Sequence, residues 1–190
     1  MALGVGCERV SLVYPPGPGA EQDLAAVLPR GVCLRAQRCG GLGAALADAF
    51  RSHMAEGFER VVLIGSDNPT LPPEIVRAAF DGLDRYELVI GPSADGGYYL
   101  VGMRRPYLDI FEGITWSTEV VYQQTLERAA HLDLRVVSLP EWYDVDTAAD
   151  LARLRDDLAT LPPSAAPATR SVLAEVVLPV PERTRLRRAC

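Results

Sequence analysis

The sequence predicts a three-layer α/β/α protein with a mostly parallel, mixed β-sheet. Strand-like apolar runs alternate with helical segments along most of the 190 residues, which is typical of a parallel sheet covered on both faces. Residues 61–64 are four consecutive apolar residues, the pattern of a central strand buried on both faces. A strand–turn–strand at 88–103 and an extended segment at 114–116 indicate an antiparallel part, so we expect a mixed sheet.

Glycine and proline residues set most of the predicted boundaries; Pro29, for example, ends the first helix and Gly57 the second. We assign residues 1–160 to one α/β domain and residues 161–190 to a linker, a short helix and a frayed Arg-rich tail. The predicted strands are 9–14, 32–36, 61–64, 88–91, 98–103 and 135–139, and the predicted helices are 21–28, 44–56, 74–83, 119–131, 148–158 and 168–177.

Two helix starts carry capping signals. Ser117 and Thr118 are expected to cap the helix that begins at Glu119. Thr147 is expected to cap the next helix, with Asp150 three residues later as the acidic partner of a capping box.

Composition narrows the class of protein. The net charge of −6 argues against binding to nucleic acid, which needs a basic face. All 19 basic residues are arginines, which excludes a Schiff-base lysine and a Walker-type lysine from this chain. No CxxC pair occurs among the four cysteines, and both histidines are expected on helix surfaces, so a zinc site is not expected. Without a signal peptide or membrane span, we expect a cytoplasmic protein.

Asp67 is the first candidate functional residue. It follows the strand 61–64 directly, with Ser66 and Asn68 on either side. Ligands of open α/β sheets bind at the carboxyl ends of the strands, where an acidic side chain can hold a divalent cation beside a phosphate. The alternative is that Asp67 only shapes the turn before the next helix.

Asp95 is the second candidate. Gly96 and Gly97 follow it, and they permit a close approach of the backbone to a ligand. The alternative is a tight hairpin turn, for which Asp-Gly is a common signal. The next residue, Tyr98, begins a strand and is expected to face either the core or the cleft.

Asp144 and Asp146 form the third candidate, because they flank one apolar residue at a strand-to-helix junction. On an extended segment both side chains point the same way, which suits chelation of a metal. The alternative is that one of them caps the helix and the other is solvated.

Trp116, Ser117 and Thr118 form the fourth candidate, since the amino terminus of a helix can hold an anion. The alternative is a simple cap with Trp116 in the core. The glycine loop at 37–43 gives a weaker phosphate-binding signal, in which Arg38 is available to contact an anionic group.

Four motifs occur in this order: GSDNPTLPPE, GPSADGGYYLVG, the helix start WSTE, and YDVDTAADL. Together they resemble the glycosyltransferase-like family associated with radical-SAM and selenodomain proteins or with arsenosugar biosynthesis. That family is similar to nucleotide-diphospho-sugar transferases of GT-A fold, near the molybdenum cofactor and phospholactate guanylyltransferases. The resemblance covers residues 9–158.

The resemblance implies a metal-dependent glycosyltransferase, or a related nucleotidyltransferase, that acts on a nucleotide-activated donor and a small-molecule acceptor. It implies that Asp67, with Asp144 or Asp146, holds Mg²⁺ or Mn²⁺ on the diphosphate. It places Asp95, Gly96 and Gly97 on the acceptor or sugar side, with Asp95 as a possible base or acceptor contact. The implied substrate-binding residues are Ser66, Asn68, Gly96, Gly97, Tyr98, Trp116, Ser117 and Thr118.

The chain departs from that family in two places. Family members usually begin with an additional strand, a basic loop and a long helix before the counterpart of residues 9–14. They also tend to carry an acid in place of Gly41. We therefore expect an N-terminally shortened GT-A domain. The alternative function is a non-catalytic binding or assembly module, for example a homodimer whose interface covers the gap in the sheet.

Overall fold

A computed structural model describes residues 2–38 and 40–176 of the chain. It contains two compact units, divided between Asp144 and Val145. This division precedes the boundary expected at residue 160 by one helix, and the domain assignment stays a prediction. The expected frayed tail at 179–190 lies outside the described residues. None of the helices in the described ranges combines the length and the apolar character needed to cross a membrane.

The described chain alternates strands and helices as the sequence predicts, with most boundaries within two residues. A short 3₁₀ helix, Leu108–Phe111, stands between β5 and α4. The strands are β1 Val10–Tyr14, β2 Val32–Ala36, β3 Val61–Ile64, β4 Leu88–Pro92, β5 Tyr98–Met103 and β6 Val136–Ser138. The helices are α1 Ala20–Val27, α2 Leu42–Ala55, α3 Pro73–Gly82, α4 Val121–His131, α5 Ala148–Thr160 and α6 Pro167–Glu175.

The main sheet has the strand order β3-β5-β4-β6. β4 and β6 are parallel, and β5 runs antiparallel to both of its neighbours. Three of the four strands therefore point the same way, which confirms the predicted mixed and mostly parallel sheet. A separate two-stranded parallel sheet consists of β1 and β2.

The expectation that residues 61–64 form a central strand is wrong. Among the described strands β3 pairs only with β5, so it lies at the edge of the main sheet. Val61 is buried, while the following three residues of β3 are only half-buried. The reason is the strand pairing. β5 pairs with one side of β3, and β1 pairs with β2 and not with the other side of β3.

Two apolar clusters cover the two faces of the main sheet, and residues alternate between them along the strands. Leu88 and Ile90 of β4 pack with residues of α2, α4 and the 3₁₀ helix, whereas Val89 packs with residues of α3. Each fully buried aliphatic side chain of this kind stabilises the fold by about 1.5–3 kcal/mol. The first unit is therefore a helix–sheet–helix sandwich, as predicted.

Helix α2 also supports the small sheet. His53 was expected on the surface, but it is buried at 8% exposure. Its Nδ1 lies 2.8 Å from the carbonyl oxygen of Ala49, and its Nε2 lies 3.2 Å from Oγ of Ser11 in β1. Glu56, which follows α2, forms ion pairs with Arg9 and with Arg35 of β2. These polar contacts join β1 and β2 to the helix.

Two predictions about helix starts had different outcomes. The capping box of α5 is confirmed, since Thr147 Oγ1 accepts from Asp150 N at 3.2 Å and Asp150 accepts from Thr147 N at 2.9 Å. The hydrogen bond from the Thr147 hydroxyl is the largest of the interactions that lower the pKa of Asp150. The predicted cap of α4 is wrong, because this helix begins at Val121 without a side-chain cap. Residues 114–116 are not in a strand.

Candidate active site at the carboxyl end of the sheet

Three chain segments meet at the carboxyl ends of the parallel strands of the main sheet. They are residues 65–68 after β3, residues 93–97 after β4, and residues 139–144 after β6. The third segment runs beside the end of β4, where Trp142 N donates to Pro92 O at 3.1 Å and Ala94 N donates to Trp142 O at 3.0 Å. The hydroxyl of Tyr99 donates to Pro140 O at 2.8 Å. These hydrogen bonds hold the segment between β6 and Asp144 against the ends of β4 and β5.

Asn68 links the first and third segments. Its side chain is buried at 2% exposure. Its Nδ2 donates to the carbonyl oxygen of Tyr143 at 3.0 Å and to Oδ1 of Asp144. The residue next to Asp67 thus contacts Asp144 across 76 residues of sequence. The structure brings the turn that carries Asp67 and the segment that carries Asp144 to the same place.

Ser93 completes this network, and the sequence analysis did not single it out. Its hydroxyl donates to Oδ2 of Asp144, and it is buried at 5% exposure. The signal in the sequence was its position, since Ser93 is the first polar residue after a buried strand. Such a residue lies at the same sheet edge as the turn that follows β3.

Gly65 shapes the turn that carries Asp67. A Cβ atom on Gly65 would lie 2.6 Å from Oδ1 of Asp67 and 3.0 Å from Oδ1 of Asn68. Both oxygens therefore turn back over the bare Cα of Gly65. Asp67 is exposed, whereas Oδ1 of Asn68 is buried and accepts no hydrogen bond from the described residues. This buried oxygen is an acceptor in need of a donor or a cation.

Asp95 lies in the turn between β4 and β5 and is exposed. Its Oδ1 accepts from the N–H of Gly97 at 2.9 Å, which is the turn geometry offered above as the alternative. Gly96 has φ +89°, and a Cβ there would lie 2.1 Å from the carbonyl oxygen of Glu119. This glycine is required by the fold, and a catalytic role for Asp95 stays a prediction.

Tyr98 and Trp116 pack together next to this turn. Their ring centroids are 6.3 Å apart in an edge-to-face arrangement, and Trp116 is half-buried. The indole lies directly on Gly43 at the start of α2, where a Cβ would be 2.7 Å from its Nε1. Burial raises the pKa of Tyr98 well above its usual value, so the phenol stays protonated. Trp116 therefore packs between the start of α2 and Tyr98, at the carboxyl end of the sheet.

Ser117 and Thr118 do not cap a helix. Ser117 has φ +62°, and Oγ1 of Thr118 donates to the carbonyl oxygen of Thr115 at 2.6 Å. Both residues are exposed, as is Ser66 on the turn after β3. Their assignment as substrate-binding residues stays a prediction.

Arg38 is engaged within the protein. Its guanidinium makes a two-pronged contact with Asp48, at 3.1 Å through Nε and 2.8 Å through Nη2, and it also donates to Ser52. Fork-like contacts of this kind fix the orientation of an arginine. They hold the loop before α2 against that helix.

Asp146 belongs to the second compact unit, where it is exposed and directly precedes the cap residue Thr147. Within the described residues no group of three or more His, Cys, Asp and Glu side chains is placed to hold a metal ion. The oxygens present at the sheet edge are the carboxylates of Asp67 and Asp144 and the orphaned amide oxygen of Asn68. Such hard oxygens suit Mg²⁺ or Mn²⁺, and Mg²⁺ commonly binds through one or two carboxylates plus substrate phosphates and water. The residues fit an ion of this class.

The fold is that of the nucleotide-diphospho-sugar transferases. It is similar to the crystal structure of a Desulfovibrio desulfuricans G20 protein described as a "putative nucleotide-diphospho-sugar transferase". The TM-score is 0.79 at 37% identity, over 88% of this chain and 73% of that one. Rv0371c from Mycobacterium tuberculosis H37Rv shares the fold, with a TM-score of 0.55 at 20% identity over 82% of this chain and 79% of that one.

The chain belongs to the DUF2064 family, described as an uncharacterized protein conserved in bacteria, whose model matches residues 2–118. The matched region contains Asp67 and Asp95 and ends before Asp144. No curated protein matches the sequence.

Proposed function

We propose that this protein is a metal-dependent glycosyltransferase, or a related nucleotidyltransferase, that uses a nucleotide-activated donor. One observation supports this most strongly: Asn68 connects the turn of Asp67 to Asp144 at the carboxyl end of the sheet. Ligands of open α/β sheets bind at this end. The likeness to the Desulfovibrio protein at 37% identity adds the substrate class of that protein.

In this proposal Asp67 and Asp144 hold Mg²⁺ or Mn²⁺. The ion, when bound, would neutralise the charge of the leaving diphosphate. Ser66 binds the donor beside Asp67, and the buried side chain of Asn68 supports this part of the site by fixing the turn. Bare Gly65 lets the Asp67 carboxylate lie close to the backbone.

On the acceptor side, Asp95 accepts the proton of an acceptor hydroxyl as its oxygen attacks the transferred group. The bond between that group and the diphosphate oxygen breaks, and the diphosphate leaves with the bonding electrons. Gly96, Gly97 and Tyr98 line this side. Trp116, Ser117 and Thr118 contact the transferred group from the loop before α4.

We further propose that the protein is related to the radical-SAM-associated or arsenosugar-biosynthesis type of transferase. The order of the four motifs supports this relation.

The first test is metal-dependent stabilisation by a nucleotide. We expect nucleoside diphosphates with Mn²⁺ to raise the melting temperature, because a ligand that binds only the folded state stabilises it by mass action. Asp67→Ala should abolish this shift. Asp81→Ala, which removes an exposed carboxylate on α3, is the matched control and should keep it. A wild-type protein that shows no shift with UDP, GDP, CDP, ADP or dTDP plus Mn²⁺ would contradict the proposal.

A second candidate function is a non-catalytic assembly module, and the free edge of β3 favours it. Among the described strands β3 pairs on one side only, and unpaired strand edges recruit other chains. This function predicts a stable homo-oligomer without turnover. Size-exclusion chromatography with light scattering measures the mass of the oligomer, and an assay for nucleotide release measures turnover. Together they distinguish the assembly module from the transferase. A monomer that turns over a nucleotide-sugar excludes the module.

A further inference from the structure

The carboxylate of Asp144 is held by both of its oxygens. Oδ1 accepts from the amide of Asn68, and Oδ2 accepts from the hydroxyl of Ser93. The two donors are buried, at 2% and 5% exposure, whereas Asp144 itself is half-buried. Because an ionised carboxylate offers about four acceptor positions, each oxygen keeps capacity for a further ligand.

Both donors are fixed by the backbone around them. Ser93 N donates to Gly97 O at 3.0 Å, and Ser93 forms a parallel bridge with Trp142. Nδ2 of Asn68 donates to Tyr143 O at 3.0 Å as well as to Asp144. A carboxylate bonded at both ends to buried and anchored donors cannot rotate freely. Its orientation is thus determined by the fold.

We infer that Ser93 and Asn68 are positioning residues that orient Asp144 as a ligand for a divalent cation. This inference rests on the metal site of the proposed function. Groups that hydrogen-bond to a ligating side chain fix its direction, and their loss typically weakens metal binding by roughly 10–100-fold. Neither donor adds charge, so each orients the carboxylate without competing with the cation for it.

Ser93 gives the sharper test, because its removal breaks one side-chain bond. Loss of the Asn68 amide would also break its hydrogen bond to the Tyr143 carbonyl oxygen. We expect Ser93→Ala to weaken the binding of Mn²⁺ alone by roughly 10–100-fold, measured from the electron paramagnetic resonance signal of free Mn²⁺. Ser93→Thr keeps a hydroxyl and should restore most of the affinity. Ser138→Ala is the matched control, because the Ser138 hydroxyl bonds at 2.7 Å to Tyr122, outside this network.

A double-mutant cycle separates positioning from a general structural effect. If Ser93 acts through Asp144, Ser93→Ala should have no further effect on Mn²⁺ affinity when Asp144→Asn is already present. Wild-type affinity in Ser93→Ala, or an equal loss in both backgrounds, would overturn the positioning role and leave the metal site standing. A wild-type protein that binds no Mn²⁺ would overturn the metal site itself, and the positioning role with it.

Discussion

Gly65→Ala should weaken the binding of a metal ion without lowering the free energy of unfolding of the protein. The backbone of Gly65 lies outside the left-handed region, so alanine fits its conformation. A glycine-to-alanine change at such a position stabilises a protein by about 0.4–1 kcal/mol, because the unfolded chain has fewer conformations to lose. For a chain of this length that raises the melting temperature by about 1–4 °C.

The new methyl group would meet the two side chains above Gly65. Oδ1 of Asp67 must move from 2.6 Å to at least 3.4 Å from the added Cβ to reach ordinary contact, and Oδ1 of Asn68 must move from 3.0 Å. Oδ1 of Asp67 ends an exposed side chain, but Asn68 is buried and held by its bonds to Tyr143 and Asp144, so its displacement offsets part of the stability gain. The same methyl group displaces a predicted ligand, Asp67, whose distance to the metal tolerates only about 0.2 Å.

We therefore expect Gly65→Ala to bind Mn²⁺ at least roughly tenfold more weakly, a difference of about 1.4 kcal/mol. Differential scanning fluorimetry measures the stability, and titration calorimetry with Mn²⁺ measures the affinity. Gly17→Ala is the matched control, since a Cβ there meets nothing within 4 Å and the backbone is equally permissive. It should raise stability alone. Wild-type Mn²⁺ affinity in Gly65→Ala would show that Asp67 does not bind metal from this turn.

The remaining predictions concern the fold. Gly96→Ala should lower the free energy of unfolding by at least about 1–3 kcal/mol in urea titrations, because the new Cβ would lie 2.1 Å from the Glu119 carbonyl oxygen at a φ of +89°; an unchanged urea midpoint would contradict this. Glu87→Gln should destabilise the protein near neutral pH, since hydrogen bonding and charge from Arg135, with further charge from Arg104, lower the pKa of Glu87 to about 2. A lowered pKa contributes stability above the unfolded value, so the difference between mutant and wild type should shrink as the pH falls from about 4.5 to about 2. A difference that persists at pH 2 would refute this account.

The sequence predicted local features of the fold better than it predicted which strands lie side by side in the sheet. The hairpin of β4 and β5 and the capping box of α5 depend on residues close together in the chain, and both were predicted correctly. The position of β3 depends on which strand fills each of its sides. A run of four apolar residues is compatible with an edge strand as well as a central one, so its composition could not decide the matter.

The start of α4 shows a similar limit. Ser-Thr-Glu is a common capping sequence, yet Ser117 adopts a left-handed conformation and Thr118 bonds back to Thr115. The carbonyl oxygen of Gly96 accepts the N–H of Tyr122 at 2.9 Å instead, in the first turn of the helix. A contact between segments 26 residues apart thus replaces the local cap, and no local pattern encodes it.

At the candidate site, the sequence identified the acids but not the groups that hold them. Asp67 stands out because it closely follows an apolar run, and Asp144 because it and Asp146 flank one apolar residue at a strand-to-helix junction. Ser93 does not, because serine is ordinary in a turn, and only the packing of residues 139–144 against β4 turns its hydroxyl toward a carboxylate. The position of Ser93 directly after a strand was the only signal in the sequence, and that position alone does not show that its hydroxyl bonds to Asp144.

The two carboxylates differ in how the fold constrains them. Asp144 is half-buried and bonded at both oxygens to buried donors, so its position is set before any ligand binds. Asp67 is exposed on a turn, where its Oδ1 lies over the Cα of Gly65. If the two share a cation, the buried donors that hold Asp144 fix one side of the metal site before the ion binds, and the shape of the turn after β3 sets the other side.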